Sequence, residues 1–170
     1  TPGEDGQMHI LSSTQHPSEV QHLVAHMLHR SSADVTVEVR RMGGAFGGKE
    51  TQAALFAAAA ALVAHRTGRP AKFRCDRDDD MAMTGKRHAF RIGYDVGFDA
   101  QGHVLALKLR LASRCGATVD LSPAINDRAM FHADNCYYLP AIKILSERLK
   151  TNTVSDTAFR GFGGPQGMIA

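Results

Sequence analysis

Apolar side chains follow helical or strand-like spacing along most of the first third of the chain. Residues 7–12 and 34–41 have the character of half-buried strands. The Ala-rich segment 50–66 has high helix propensity and ends before a Gly-Arg-Pro stop. Segment 16–29 carries an apolar stripe at the i, i+3, i+4 spacing of an amphipathic helix, formed by Val20, Leu23, Val24, Met27 and Leu28.

The remaining sequence predicts more strands than helices. Segment 117–133 is less periodic and predicts a short helix with loops, and 76–80 predicts an acidic turn. Four further segments have strand character: 71–75, 90–98, 104–113 and 137–149. We therefore expect an α+β fold, with mixed or antiparallel strands and two main helices. Residues 1–170 predict one domain, with a possible sub-boundary near 67–71.

Composition narrows the class of protein. The chain has 170 residues, 44% hydrophobic and 22% charged, which is typical of an ordinary globular domain. No apolar run is long enough to cross a membrane, and the first residues do not have the pattern of a secretory leader. Three Cys without CxxC spacing suggest free thiols and a cytoplasmic location. A net charge of +3 and the absence of Trp give no indication of a nucleic-acid partner.

Glycines cluster in two loops that are candidates for ligand binding. Residues 41–50 join a predicted strand to a predicted helix, and a glycine loop there could present backbone N–H groups to an anionic ligand. A simple tight turn is an equally open interpretation. The second loop, 157–167, contains Arg160 and Phe162 among its glycines. Neither the Walker phosphate loop nor the dinucleotide-binding pattern is present.

Together these loops resemble the molybdenum hydroxylases, most closely the molybdopterin-binding portion of the xanthine dehydrogenase/oxidase family. The motifs that carry the resemblance are GGAFGGKE, residues 43–50, and AFRGFGGPQG, residues 158–167. Residues 12–15, 119–122 and 127–135 are also similar to that family. The resemblance covers the whole chain in order, and it implies that the chain is an internal fragment of a longer large subunit.

The resemblance implies a cofactor-binding role for four residues. Gln15 matches a glutamine that hydrogen-bonds an oxo ligand of molybdenum, and Phe46 and Gly47 match the loop beside the metal. Arg160 matches an arginine of the molybdopterin pocket. Gln15, Phe46 and Arg160 would thus lie near molybdenum without ligating it. Without the family, an ordinary surface position is the favoured interpretation of Gln15.

The resemblance also implies that Glu50, Arg128 and Phe162 hold a purine. A guanidinium can stabilise negative charge that develops on a purine during hydroxylation. The related aldehyde oxidases usually have uncharged residues at the positions of Glu50 and Arg128, so the two charges favour hypoxanthine or xanthine as substrate. Two alternatives stay open: Glu50 as a first-turn helix residue, and Arg128 as an ion-pair partner of Asp127 or Asp134.

Several parts of the family's machinery are not found in these residues. The family's base is a glutamate that would lie beyond Ala170, so we expect no catalytic residue in this chain. Three scattered Cys cannot ligate a 2Fe-2S cluster, and there is no FAD fingerprint. Those centres, and the rest of the large subunit, are expected on other segments or subunits. The alternatives are a non-catalytic module, or a fragment of an aldehyde or other heterocycle hydroxylase.

Overall fold

The computed structural model describes all of residues 1–170. Its contacts divide the chain into two compact units, Thr1–Thr84 and Gly85–Ala170. Residues 67–71, where a sub-boundary was expected, lie at the C-terminal end of a helix within the first unit. No helix combines the length and apolar character that crossing a membrane requires. The α+β class predicted from the sequence is confirmed.

The first unit packs helices against a small parallel sheet. Strands β1 and β2 pair in parallel from Met8↔Val35 to Leu11↔Glu38, with a helix between them in the chain. Its elements are β1 (Met8–Leu11), α1 (Pro17–Met27), β2 (Val35–Glu38), α2 (Ala53–Thr67) and α3 (Arg77–Met83).

The core of this unit lies between α1, α2 and the two strands. Most of the stripe predicted for α1 faces it: Val20 and Val24 are completely buried, whereas Leu23 is 43% exposed. On α2 the buried side chains are small, Ala54, Ala57, Ala61 and Ala64, which allows close approach of the helices. Gly68 ends α2 with a left-handed backbone, as the sequence predicted.

Two predictions for the end of this unit were wrong. Residues 71–75 form no strand, because no neighbouring strand pairs with them. Residues 76–80 are more than a turn: they enter α3, and the Asp76 carboxylate caps it by accepting from Asp79 N at 2.8 Å. Acidic residues in the first turn complement the helix dipole, which favours a helix there. Helix α2 also begins later than predicted, at Ala53.

The second unit is built on a mixed three-stranded sheet. Its elements are β3 (Phe90–Phe98), β4 (Val104–Gly116), α4 (Ser122–Phe131), β5 (Ile142–Lys150) and α5 (Gly164–Met168). Strand β4 is central: it pairs antiparallel with β3, to which it is joined by a hairpin loop, and parallel with β5. Strand β5 begins later than predicted, after Pro140, which has no N–H to donate. The second glycine loop does open a short helix, α5.

Helix α4 is fixed to the sheet by buried polar groups as well as by packing. Ser113 of β4 donates from Oγ to Asn126 Oδ1 at 2.8 Å, and Asn126 Nδ2 donates to the Glu147 carbonyl of β5 at 3.2 Å. All of this surrounds Leu111 and Ile125, which are almost fully buried. Because buried amide groups need partners, these bonds define the position of α4 along the strands.

Candidate functional site

In the first unit, the segment 13–15 is hydrogen-bonded to the first glycine loop. The Gln15 side-chain oxygen accepts from Gly47 N at 2.9 Å and from Lys49 N at 3.3 Å. Gln15 N donates to the Lys49 carbonyl at 2.9 Å. These bonds assign the orientation of the amide, because its oxygen is occupied by backbone donors. The Gln15 Nε2 group is left as a donor without a protein partner.

The loop itself has the backbone that its glycines permit. Gly43, Gly44 and Gly47 have φ of 68°, 93° and 93°, and Phe46 has a φ of 54°. A left-handed backbone is uncommon for a bulky residue, and here it presents the Phe46 ring to solvent with 62% of its surface exposed. Ala45, which lies between these glycines, keeps an ordinary negative φ, so its methyl group is tolerated.

Lys49 stabilises this loop from within. Its Nζ donates to Ser13 Oγ at 2.8 Å and to the Met42 carbonyl at 2.7 Å. An ammonium group bound in this way is not directed at a phosphate, which agrees with the absence of a Walker sequence. The loop conformation is thus fixed by Lys49 together with Ser13 and Gln15 of the neighbouring segment.

Glu50 follows the loop but does not belong to the helix. Its backbone N–H donates to the Gly47 carbonyl at 3.3 Å, and α2 begins three residues later, at Ala53. The interpretation of Glu50 as a first-turn helix residue is therefore wrong. The half-buried carboxylate has no protein partner, which leaves it able to bind a ligand donor.

In the second unit, Arg128 lies in the last turn of α4 and is exposed. Its neighbour Asp127 pairs with Arg148 of β5, Nη2 to Oδ1 at 2.6 Å. The ion pair between Arg128 and Asp127 or Asp134, left open by the sequence, is not formed. The Arg128 side chain lies against Gly164, where an added Cβ would be 3.9 Å from Arg128 Nε.

The turn 159–163 carries the other proposed residues of this unit. Gly161, Phe162 and Gly163 have consecutive positive φ angles of 95°, 49° and 91°. Phe162 N donates to the Phe159 carbonyl at 2.8 Å, which closes the turn. The Phe162 ring is half-buried, and the exposed Arg160 side chain has no protein partner.

The turn and α5 pack directly on the backbone of α4. A Cβ at Gly163 would lie 2.0 Å from the Ile125 carbonyl oxygen, and one at Gly167 would lie 2.0 Å from that of Ala129. Only glycine fits at such distances. Arg128, between these two contact points on α4, is thereby held close to the turn that bears Phe162.

Sequence reasoning missed Arg87, which lies just before β3. Its Nη2 donates to the Arg160 carbonyl at 2.7 Å, and its Cζ lies 4.8 Å from the centroid of the Phe159 ring. Nothing in the local sequence distinguishes it from the neighbouring basic residues. Only the tertiary structure brings it to the turn.

His88 was also missed and forms a buried junction beside that turn. Its Nε2 lies 2.7 Å from Ser122 Oγ, and its carbonyl accepts from Gln166 Nε2 at 3.3 Å. Burial lowers the pKa of His88, and this is opposed by the nearby carboxylates of Asp156 and Asp120. His88 therefore links the start of α4 to α5 in its neutral form.

The residues proposed from the sequence fall into one set in each unit. Gln15, Phe46, Gly47 and Glu50 lie on or beside the first glycine loop. Arg128, Arg160 and Phe162 lie on α4 and the turn 159–163. No group of three or more His, Cys, Asp or Glu side chains is arranged to hold a metal ion. Both sets lie beside glycine-rich backbone with positive φ angles, and both include polar side chains that have no protein partner.

Sequence similarity identifies the family of this chain. The whole chain, residues 1–170, matches the family model of the molybdopterin cofactor-binding domain, and the chain belongs to that family. It is 50% identical over 98% of its length to xanthine dehydrogenase/oxidase of Felis catus. It is 47% identical over 99% of its length to xanthine dehydrogenase of Calliphora vicina.

A solved structure has the same fold. The aldehyde oxidoreductase from Desulfovibrio gigas superposes with a TM-score of 0.83 at 28% identity, over 99% of this chain and 18% of that one. The chain spans only about 12% of the length of the curated relatives it matches.

Taken by itself, each unit has polar groups of the kind that the molybdenum cofactor implied by the family model would need. The Gln15 amide and the Arg160 guanidinium are donors without protein acceptors. Arg87 Nη1 and Gln166 Oε1 are buried polar atoms that likewise have no protein partner. Buried polar atoms are normally satisfied, so Gln166 Oε1 is available to a polar ligand within the second unit.

Proposed function

We propose that this chain forms part of the molybdenum centre of a purine hydroxylase, which converts hypoxanthine and xanthine to urate with water as the oxygen source. The observation that carries this proposal is the pair of charged residues, Glu50 and Arg128, that have no ion-pair partner in their own units. A free carboxylate and a free guanidinium suit a substrate with both ring N–H donors and carbonyl acceptors. The high identity to xanthine dehydrogenases supports the same substrate class.

In this proposal the first unit contributes cofactor contacts. Gln15 presents its Nε2 donor beside the metal, oriented by the bonds from Gly47 and Lys49 to its oxygen. A neutral amide can donate there without adding charge. Phe46 and Gly47 place loop backbone next to the cofactor. When bound, the molybdenum cofactor supplies the oxygen-transfer and two-electron redox chemistry.

In the second unit, Arg128 and Phe162 would contact the purine and Arg160 the cofactor, while Glu50, in the first unit, would accept from the purine. Arg128 stabilises negative charge on the substrate at a distance from the reacting carbon, because guanidinium remains charged and its donors are fixed in a plane. Phe162 offers an aromatic face to the purine ring. Glu50 accepts hydrogen bonds from ring N–H groups. Arg160 donates to the cofactor.

The remaining machinery would come from elsewhere in a longer protein. We expect the general base, the 2Fe-2S centres and FAD on other segments or subunits, and a cytoplasmic location. The isolated 170 residues should then be inactive. Absence of xanthine turnover with an artificial electron acceptor by the isolated chain is the expected result.

A second candidate, an aldehyde hydroxylase, is favoured by the structural similarity to the Desulfovibrio gigas aldehyde oxidoreductase. The two candidates differ at Arg128. An aldehyde develops charge on the oxygen of its reacting carbon and has no distant atom to present to this side chain. Xanthine does have one, so loss of the guanidinium should discriminate between the two substrates.

The experiment is steady-state kinetics of the complete protein that contains this chain. Arg128→Met should reduce kcat/KM for xanthine about a hundredfold, the loss expected for one preorganised donor, and should change that for an aromatic aldehyde much less. Glu50→Val should act in the same direction. Arg148→Met is the matched control, because it removes the neighbouring ion pair with Asp127 and leaves Arg128 in place. Equal losses on both substrates would contradict a purine-binding role.

A further inference from the structure

Arg87 contacts a turn that lies far away in the sequence, and it does so in two independent ways. Its Nη2 donates to the Arg160 carbonyl at 2.7 Å. Its guanidinium also lies over the Phe159 ring, with Cζ 4.8 Å from the centroid, a favourable cation–π distance. Both contacts are made to consecutive residues of the turn 159–163. Arg87 thus restrains one side of this turn.

The turn needs such restraint. Gly161, Phe162 and Gly163 all have positive φ, and a bulky side chain such as Phe162 disfavours this backbone region. Backbone conformations of this kind persist where their surroundings over-determine them. At the other end of the turn, Gly163 packs against the Ile125 carbonyl of α4 with no room for a Cβ. The turn is therefore held between Arg87 and the helix that carries Arg128.

Stability of the fold does not by itself account for Arg87. Its Nη1 is buried without an acceptor, and a buried donor without a partner is destabilising. A buried donor of this kind therefore calls for an explanation other than fold stability.

We propose that Arg87 is a positioning residue, which holds the turn 159–163 against α4 and so sets the Phe162 ring in its relation to Arg128. This rests on the proposed function, in which Phe162 and Arg128 contact the purine. Arg87 itself touches neither side chain in this role. It acts through the Arg160 carbonyl and the Phe159 ring.

The first measurement is independent of activity. Hydrogen exchange of the complete protein, read by mass spectrometry on peptides covering 157–170, reports the amides of Phe162 and Gly164, which donate within the turn. Arg87→Met should accelerate their exchange at least about tenfold. Arg91→Met, an exposed arginine of β3, is the matched control and should leave it unchanged. Unchanged exchange in Arg87→Met would overturn the proposal.

The second measurement asks whether the effect reaches the substrate. Arg87→Met should lower kcat/KM for xanthine about tenfold, the usual loss when a supporting partner is removed. Arg87→Lys keeps a positive charge over Phe159 but cannot make the same two contacts at once, so its kcat/KM should lie between those of the unmodified protein and Arg87→Met. In a Phe162→Leu background, Arg87→Met should have little further effect. If the losses in kcat/KM caused by Arg87→Met and Phe162→Leu are fully additive, the proposal that Arg87 acts through Phe162 is overturned.

These results separate the two proposals. If Phe162→Leu alone leaves xanthine kinetics unchanged while exchange is still faster in Arg87→Met, the proposed substrate role of Phe162 fails and the restraint of the turn stands. If Arg87→Met does not fold, Arg87→Lys carries both measurements. In that variant, slower purine turnover together with faster exchange supports the proposal, and no change in either one overturns it.

Discussion

Replacement of Gly163 by alanine tests the packing of the second glycine loop on α4. The new Cβ would lie 2.0 Å from the Ile125 carbonyl oxygen and 3.2 Å from Ala129 N, both rigid helix backbone. Overpacking of this kind costs about 1–3 kcal/mol. The φ of 91° adds about 1–2 kcal/mol for any residue with a Cβ. We therefore expect Gly163→Ala to lower the free energy of unfolding by about 2–5 kcal/mol.

Two other glycines calibrate this result. Gly167→Ala meets the Ala129 carbonyl oxygen at the same 2.0 Å, but Gly167 is helical without positive φ, so the loss should be smaller. Gly97→Ala on β3 is the matched control, because nothing lies within 4 Å of its added Cβ. Its unfolding free energy should change by no more than about 1 kcal/mol, in the stabilising direction.

The assay is urea unfolding followed by far-ultraviolet circular dichroism, with free energies from linear extrapolation. If Gly163→Ala and Gly97→Ala unfold at the same urea concentration, the close approach of the loop to α4 is refuted. An intermediate loss for Gly163→Ala, equal to that of Gly167→Ala, would mean that its left-handed backbone adds no strain.

Three further predictions concern single side chains. Gln15→Glu keeps the oxygen that accepts from the loop N–H groups but removes the Nε2 donor. The melting temperature should therefore change little, while xanthine turnover by the complete protein falls. Turnover equal to that of the unmodified protein would contradict the proposed contact. Arg114→Met leaves the fully buried Asp156 carboxylate without its bidentate partner, so it should lower the free energy of urea unfolding clearly more than Arg110→Met, which removes an exposed pair. Similar losses in the two variants would contradict the distinction. Burial lowers the pKa of His88, so the unfolded chain binds the proton at a higher pH than the folded chain, and the stability of the fold declines as the pH falls below the ordinary pKa of 6.5. His88→Gln should flatten this decline in a series of melting temperatures measured at different pH values. An unchanged slope would mean that other groups cause the pH dependence.

The sequence predicted those parts of the fold that local periodicity determines. The stripe from Val20 to Leu28 can face only one side of a helix, and α1 is that helix. Strand formation at 71–75 depended instead on a partner strand, which no local pattern reveals. The acidic segment 76–80 hid a helix start because its capping carboxylate, Asp76, also suits a turn.

The same division applies to the candidate site. Both glycine loops are visible in the sequence, because positive φ and close backbone contact require glycine there. The partner of Asp127 was not visible, since Arg148 reaches it only when β5 lies alongside β4. Arg87 reaches the turn 159–163 only in the folded chain, so no motif could identify it.

The mixed pairing of β4 also bears on how the second unit folds. Its antiparallel partner β3 is joined through residues 99–103, a short loop that closes with little entropy loss, so this hairpin can form within about 1–10 μs. Its parallel partner β5 is separated by residues 117–141, and it can dock only after that long crossover, including α4, has become ordered. The hairpin should therefore nucleate the unit, and the parallel half of the sheet should assemble on it as the slower, rate-limiting phase.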